Sequence, residues 1–342
     1  MNYPAEPPIL PLPLHCTFSP QNWQILAQHW YPIAFLQEVT DKPLAAVLLD
    51  QPLVVWRTPG GVTIARDRCP HRGLSLSMGQ VRGDQLVCPY HGLHYDAKGH
   101  CSHIPAHPDA TIPPTLVLPT YPVKEAYGLI WTCLAGHTKQ TLPEFGEWED
   151  SDYQQILPDA LTVNTSAGRQ VEGFLDVSHF AWVHTETFGS QDNPLVPRYE
   201  VRCSDRGFSA DYWSKVSNFP KGLEHLAPEG FEWRRLFEVF LPFTARLTVF
   251  FPEGGQLCIL NAASPISSTQ TRMFAPICRN FDRGVDLEPV YEFNRQVFAE
   301  DQRMIEAQVP KELPLDLTAE VHIPADRSSI AYRRGLRQMG LR

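Results

Sequence analysis

Apolar and polar positions change rhythm several times along the chain. Between Leu44 and Trp131 the apolar residues come in short runs, such as Leu53-Val54-Val55-Trp56 and Gly128-Leu129-Ile130-Trp131, punctuated by Gly and Pro, which predicts an all-β module of short strands. A short amphipathic helix is predicted ahead of it over Trp23 to Trp30. Residues 1 to 20 carry Pro4, Pro7, Pro8, Pro11, Pro13 and Pro20, a density that predicts an extended arm lying on the surface or against another subunit. Helical spacing appears over Val171 to His184 and over Val290 to Gln308. Between these, Phe231 to Phe281 reads as several strands, for example Arg246-Leu247-Thr248-Val249-Phe250-Phe251 and Gln256-Leu257-Cys258-Ile259-Leu260. Strands grouped and helices grouped argue for an α+β fold with an antiparallel sheet rather than alternating βαβ units. The acidic, proline-marked stretch from Gln140 to Asp159 reads as a linker or domain edge. The resulting division is an arm over 1–22, an all-β domain over 23–145 and a second domain over 146–342.

Composition narrows the function classes. With 342 residues, 43% of them apolar, the chain is long enough for about two domains of roughly 150 residues, each with its own core. A formal charge of −9 gives no overall basic field for nucleic acid or an anionic bilayer. No apolar stretch approaches the roughly 18 residues that span a membrane, and no signal peptide is evident, so a cytoplasmic protein is expected. Eight cysteines are too sparse in a chain of this length for a secreted disulfide framework. Thirty-two prolines favour short strands and shaped loops. Neither a dinucleotide-binding nor a P-loop fingerprint occurs, and there is no internal repeat.

Two constellations carry chemistry. In the first, Cys69-Pro70-His71-Arg72-Gly73 and Cys88-Pro89-Tyr90-His91-Gly92 each supply a thiol and an imidazole, with enough chain between them for a hairpin to bring the loops together. Zinc sites usually use C-x₂₋₄-C or H-x₃₋₅-H pairs, whereas C-x-H followed by C-x₂-H matches the two-cysteine, two-histidine ligation of a Rieske [2Fe-2S] centre. Gly73 and Gly92 suit tight turns, and Pro70 and Pro89 stiffen the loops. Arg66, Arg68, Arg72 and Arg82 gather positive charge nearby, a patch that can steer an acidic electron donor or equally be a solvated face. His94, His100, His103 and His107 read as surface or hairpin-packing residues, and Cys101 and Cys133 as small buried side chains.

In the second, the apolar stretch from Val171 to His184 holds Asp176, His179 and His184, and buried polar groups need partners. A spacing of five puts the two histidines about 140° apart on an ideal helix, so both reach one metal only if the helix is distorted or ends near His184. Asp176 is placed to accept the outer N–H of an imidazole. A third ligand must come from elsewhere, and Asp301 lies on a mostly apolar stripe with Asn294, Val297, Phe298 and Ile305. Glu300 and Glu306 are rivals on spacing alone. Two histidines and one carboxylate leave open positions on Fe(II).

The paired loops, followed about 90 residues later by D-x₂-H-x₄-H, resemble the Rieske-type non-haem iron oxygenases. The likeness runs from about Trp23 to the end and is closest to the short members of vanillate O-demethylase, dicamba monooxygenase and methylxanthine N-demethylase type. It implies an N-terminal Rieske domain and a C-terminal helix-grip catalytic domain. Cys69, His71, Cys88 and His91 would then hold the cluster. His179, His184 and Asp301 would hold the mononuclear iron, the E-D…E-x-Q ending favouring Asp301. It also implies NAD(P)H electrons delivered by a separate reductase, O2 and a small, aromatic-type substrate, and a head-to-tail homotrimer in which Asp176 links His91 of one chain to His179 of the next. Respiratory Rieske proteins differ: they carry an extra cysteine in each loop and hydroxyl donors to the cluster sulfurs. Leu93 stands at such a donor position here, so a potential toward the low end of the Rieske range is expected. Gly173 departs from the relatives, which often carry Asn three residues before the bridging Asp. The reaction expected is hydroxylation or demethylation, with ring cis-dihydroxylation or a pure Rieske electron carrier as alternatives.

Overall fold

The computed structural model describes residues 10–136, 138 and 140–342. They fall into two compact units that divide between Thr141 and Leu142. Residues 1–9 of the expected arm lie outside the described residues. Its remainder is held to the first unit, where Leu10 exchanges hydrogen bonds with the Gln24 side chain and Thr17 donates twice to Asp50.

In the first unit, helix α1 (Pro20–Leu26) starts and stops earlier than its apolar spacing predicts. Ser19 caps it by accepting from the Asn22 N–H, and Pro20, counted above among the prolines of the extended arm, occupies the first turn, where a missing N–H costs nothing. The rest is antiparallel strand, as the short apolar runs predict. One sheet joins Tyr31–Phe35, Leu129–Thr132 and Val123–Ala126, a second joins Leu44–Leu48, Gln51–Thr58, Gly61–Arg66 and Thr120–Tyr121, and a third joins Gln80–Arg82, Gln85–Val87, His94–Tyr95 and Cys101–His103. Cys69 and Cys88 belong to a core shared with Trp56, Leu86, Tyr95 and Leu118.

The second unit is built on a nine-stranded antiparallel sheet. The sequence reading finds its centre and misses its edges: Gln154–Ile156, Leu161–Val163, Glu200–Ser204 and Gly207–Ser214 join the strands of the Phe231–Phe281 region. The Gln140–Asp159 stretch is no solvated linker beyond Leu142, because Phe145 and Trp148 are buried and Glu147 pairs with Arg246. Burial alternates strictly along Trp233–Phe240, and the inward face includes Arg235, whose guanidinium donates to Ser214, Val216 and Ser217. Four helices accompany the sheet: α2 (Ala167–Leu175), α3 (Phe180–Val183), α4 (Glu288–Ala307) and α5 (Arg327–Gln338). The expected helix over Val171 to His184 is therefore two helices with a break. The sequence gives little sign of α5, whose buried face mixes Tyr332 and Leu336 with Ser328, Ser329 and Arg333.

A buried ion-pair network ties α5 to α2. Arg333 meets Glu172 through two hydrogen bonds of 2.6 and 2.8 Å and also pairs with Glu320, which Arg169 shares. Glu172 is only 9% exposed, so removing Arg333 leaves its carboxylate short of a partner in a poor solvent. Arg333→Met is expected to cost about 3 kcal/mol of second-unit stability in urea unfolding, and Glu172→Gln combined with it to recover part of that loss.

Candidate metal centres

The first site is made by two loops with the same internal hydrogen bonds. Cys69 N–H bonds Leu74 carbonyl at 2.8 Å and Gly73 N–H bonds Cys69 carbonyl at 2.8 Å. Cys88 N–H likewise bonds Leu93 carbonyl at 2.9 Å, and Gly92 N–H bonds Cys88 carbonyl at 3.0 Å. Closing these loops requires left-handed backbone at Gly73 (φ +78°) and Gly92 (φ +67°), conformations glycine adopts without penalty. Asp67 braces the first loop by accepting from the N–H and hydroxyl of Ser77. The loops bring the four residues together in two pairs, thiol with thiol and imidazole with imidazole. Cys69 and Cys88 are buried free thiols, and the His71 and His91 rings lie 4.7 Å apart, with Tyr90 against His91. Burial pushes the Cys88 thiol up; the Tyr90 backbone opposes this, and Cys69 beside it adds to it. His71 Nδ1 is buried and has no hydrogen-bond partner. Two close thiols and an unsatisfied imidazole nitrogen are the donor set that a [2Fe-2S] cluster of Rieske type takes.

Leu93 offers the sulfurs no hydroxyl, but a residue close by does. Tyr95, two residues beyond Leu93 and fully buried, brings its hydroxyl to 3.3 Å from Cys69 Sγ. Spacing along the chain hides this contact because the hairpin folds Tyr95 back over the first loop. His94 and His103 pack edge to face across the same hairpin, and Cys101 and Cys133 are buried, as expected of them.

The second site sits where α2 ends. Asp176 takes extended backbone (ψ 127°) and stops the helix, its Oδ1 accepting from the N–H and hydroxyl of Ser178 in a tight turn. His179 then opens the single turn of α3, and His184 closes it. This break turns two histidines that an unbroken helix would splay onto one point: their Nε2 atoms are 3.1 Å apart. Asp301 Oδ1 reaches them from α4, 3.4 Å from His179 and 3.2 Å from His184. Burial pushes the Asp301 carboxyl up, but hydrogen bonding to the two imidazoles brings it down to about 2. Burial lowers His179, and Asp176 and Asp301 more than reverse this, raising it to about 9. Asp176 behaves alike: burial raises its carboxyl, while His179 and Ser178 hold it below the ordinary value. The pocket thus favours a positive charge among three converging lone pairs, which suits a divalent cation. The ligand atoms of His179, His184 and Asp301 lie within 4.8 Å of one another, a set that fits Fe(II).

The rivals on α4 are separated by geometry. Glu300 accepts from His184 Nδ1 at 2.8 Å and from the Thr187 hydroxyl at 2.7 Å, so it orients the imidazole from behind. Glu306 faces away, toward Asn164 and Gln302. The sequence reading has Glu300 only as a rival ligand, not as a support for His184, and does not single out Phe188, which stacks on His184 at 4.5 Å.

The profile of the Rieske [2Fe-2S] domain matches residues 29–122, and that of the vanillate O-demethylase oxygenase C-terminal domain matches residues 163–342, more than half the chain. The chain belongs to the Rieske non-haem iron oxygenases. This Rieske oxygenase is 33% identical to methylxanthine N1-demethylase NdmA of Pseudomonas putida, over 92% of this chain and 90% of that one. Methylxanthine N3-demethylase NdmB of the same species is 29% identical over the same shares. The solved structure of Pseudomonas putida CBB5 NdmA with caffeine superposes with a TM-score of 0.81 at 30% identity, covering 93% and 92% of the two chains.

The Rieske oxygenase is an oxygenase component that binds a Rieske [2Fe-2S] cluster and a mononuclear iron and draws NAD(P)H electrons through a separate reductase. It uses O2 on a small substrate. Among its described residues no helix is long and apolar enough to cross a membrane. A small cavity lies beside Asp301. Its aromatic walls, Phe174 and Phe298, come from α2 and α4. Gly173 also lines it, and a Cβ there would stand 2.9 Å from Ile305 Cγ2, so the missing side chain is what lets α4 approach.

Proposed function

We propose that this oxygenase removes a methyl group from a small substrate as formaldehyde. In this reading Cys69, His71, Cys88 and His91 hold the cluster, and His179, His184 and Asp301 hold Fe(II). The observation carrying it is the meeting of two imidazole nitrogens and one carboxylate oxygen beside a cavity that opens on Asp301. The cluster-bearing part is taken as residues 23–145 and the iron-bearing part as 146–342, which the division between Thr141 and Leu142 supports.

Bound in the second site, Fe(II) supplies the electron-transfer chemistry with O2 that oxygenates a C–H bond. The chain's own groups prepare for it. Glu300, fixed by Thr187, accepts the Nδ1 proton of His184 and so leaves its Nε2 lone pair facing inward. Asp176 Oδ2 lies 3.7 Å from His179 Nδ1, an ion-pair distance at which its charge favours a proton on that nitrogen. Phe180 and Phe188 cover the imidazoles and limit water. Overall, a methyl on nitrogen or oxygen, O2, NADH and a proton give the demethylated N–H or O–H, formaldehyde, water and NAD⁺. NdmA and NdmB, by name, demethylate methylxanthines, which supports an N-methyl substrate.

Electrons are proposed to cross between chains of a head-to-tail homotrimer, from His91 of one chain to Asp176 and His179 of its neighbour. Support comes from exposed aromatic residues beside each site: Tyr90, next to His91, is 63% exposed in the single chain, and Trp182, in α3, is 57% exposed. Arg68, Arg72 and Arg82 are exposed around the cluster loops and suit an acidic reductase.

Because the Tyr95 hydroxyl stabilises added negative charge on Cys69 Sγ, Tyr95→Phe is expected to lower the cluster potential. One such bond is worth roughly tenfold in the redox equilibrium, about 60 mV for one electron, readable by spectroelectrochemistry. The function is tested by supplying the holoenzyme with a surrogate reductase, NADH, O2 and a panel of N-methyl and methoxy compounds. Formaldehyde equimolar with NADH consumed is expected; a cis-dihydrodiol without formaldehyde overturns demethylation.

A further inference from the structure

We propose that the cavity beside Asp301 selects an uncharged substrate carrying amide-type N–H donors, such as a methylated lactam or cyclic urea, and that Gln170 and Asn261 read those donors. This rests on the oxygenase reading and specifies its substrate class. Gln170, on α2, is 5% exposed, and Asn261, in the central strand Gln256–Ser267, is 1% exposed; both line the cavity. Each turns its amide nitrogen to the same thioether: Gln170 Nε2 is 2.8 Å and Asn261 Nδ2 3.3 Å from Met273 Sδ. A thioether sulfur accepts and never donates, so it fixes which end of each carboxamide faces it. The two carbonyl oxygens, Gln170 Oε1 and Asn261 Oδ1, are left buried with no hydrogen-bond partner.

Two unpaired acceptors in one cavity call for a ligand that donates. An apolar methyl arene leaves both unsatisfied. A carboxylate or sulfonate fares worse, because it brings acceptors to acceptors. Among the described residues that line the cavity none is lysine or arginine, and Asp301 alone is charged. Arg235, the buried cation of the central sheet, is not among the lining residues and spends its donors on Ser214, Val216 and Ser217. The amide of Gln302, the remaining polar lining group, is engaged by Thr162 and Glu306. Gly173, on the same helix as Gln170, lets Ile305 of α4 close one side of the cavity.

The test uses the iron-loaded holoenzyme and three probes: 1-methyluracil, which keeps a free N–H; 1,3-dimethyluracil, which has none; and the anion 4-methoxybenzoate. Titration calorimetry is expected to show 1-methyluracil binding at least about tenfold more tightly than either of the others, the difference one satisfied hydrogen bond makes. Gln170→Leu and Asn261→Leu are each expected to erase most of that preference. Equal or tighter binding of 1,3-dimethyluracil or 4-methoxybenzoate by the unaltered enzyme, or no binding of 1-methyluracil, overturns the inference. Formaldehyde release is measured in parallel with reductase and NADH. If 1-methyluracil binds preferentially but no probe yields formaldehyde, the demethylation reading fails and the pocket inference stands. If formaldehyde comes from 4-methoxybenzoate with tighter binding, the reverse holds.

Discussion

Asp301→Asn protein is expected to keep its cluster, to retain about two irons per chain instead of about three, and to release no formaldehyde. The reason lies in what each carboxylate on α4 touches. Asp301 Oδ1 is the single anionic atom aimed between the two Nε2 atoms, and a neutral amide there offers a far weaker ligand. Glu300 cannot move in to replace it without abandoning both His184 Nδ1 and Thr187. A contrasting variant sharpens the result. Glu300→Gln should weaken iron binding by about 10- to 100-fold, the usual effect of disturbing a group behind a ligand, so added ferrous ion restores it. Equal iron retention by Asp301→Asn and the unaltered enzyme would remove Asp301 from the ligand set.

Asp176→Asn is expected to have the opposite signature: about three irons per chain, a normal reduced-cluster spectrum, and turnover down by about 100-fold or more. Asp176 stands at the surface end of the site, anchored by Ser178 through Oδ1 and facing His179 through Oδ2. Its loss leaves all three proposed iron ligands in place but removes the carboxylate that would face the neighbouring chain's His91. Single-turnover measurement separates this from simple damage. With substrate and O2 present, reduced cluster in the variant should reoxidise at least about 100-fold more slowly while substrate affinity is unchanged. Loss of iron with intact folding would make Asp176 a support for His179 and nothing more.

Much of this is legible in the amino-acid sequence, and for identifiable reasons. Cys69, His71, Cys88 and His91 lie in two short, equivalent loops, so local spacing alone carries the chemistry. His179 and His184 were harder, because helical periodicity argues against their convergence; the break at Asp176 resolves this, and it depends on the Ser178 turn rather than on any helix-breaking residue. Asp301 could not be told from Glu300 by period, since adjacent residues on a helix differ only in which way each reaches. Contacts made across long separations were invisible: Tyr95 to Cys69, Glu300 to His184, Arg333 to Glu172, and the Gln170–Met273–Asn261 cluster all join segments whose meeting is set by the sheet and hairpins. Helix α5 was missed because polar residues on its buried face, satisfied by pairing, disguise its amphipathic pattern.

The central claim is that one chain holds a Rieske cluster and a separate mononuclear iron. Iron and acid-labile sulfide measured on anaerobically purified protein, alongside the His184→Ala variant, test it most directly. About three irons for two sulfides are expected in the unaltered enzyme and about two for two in the variant. A ratio of two irons to two sulfides in both, with the unaltered enzyme given excess ferrous ion, would contradict it.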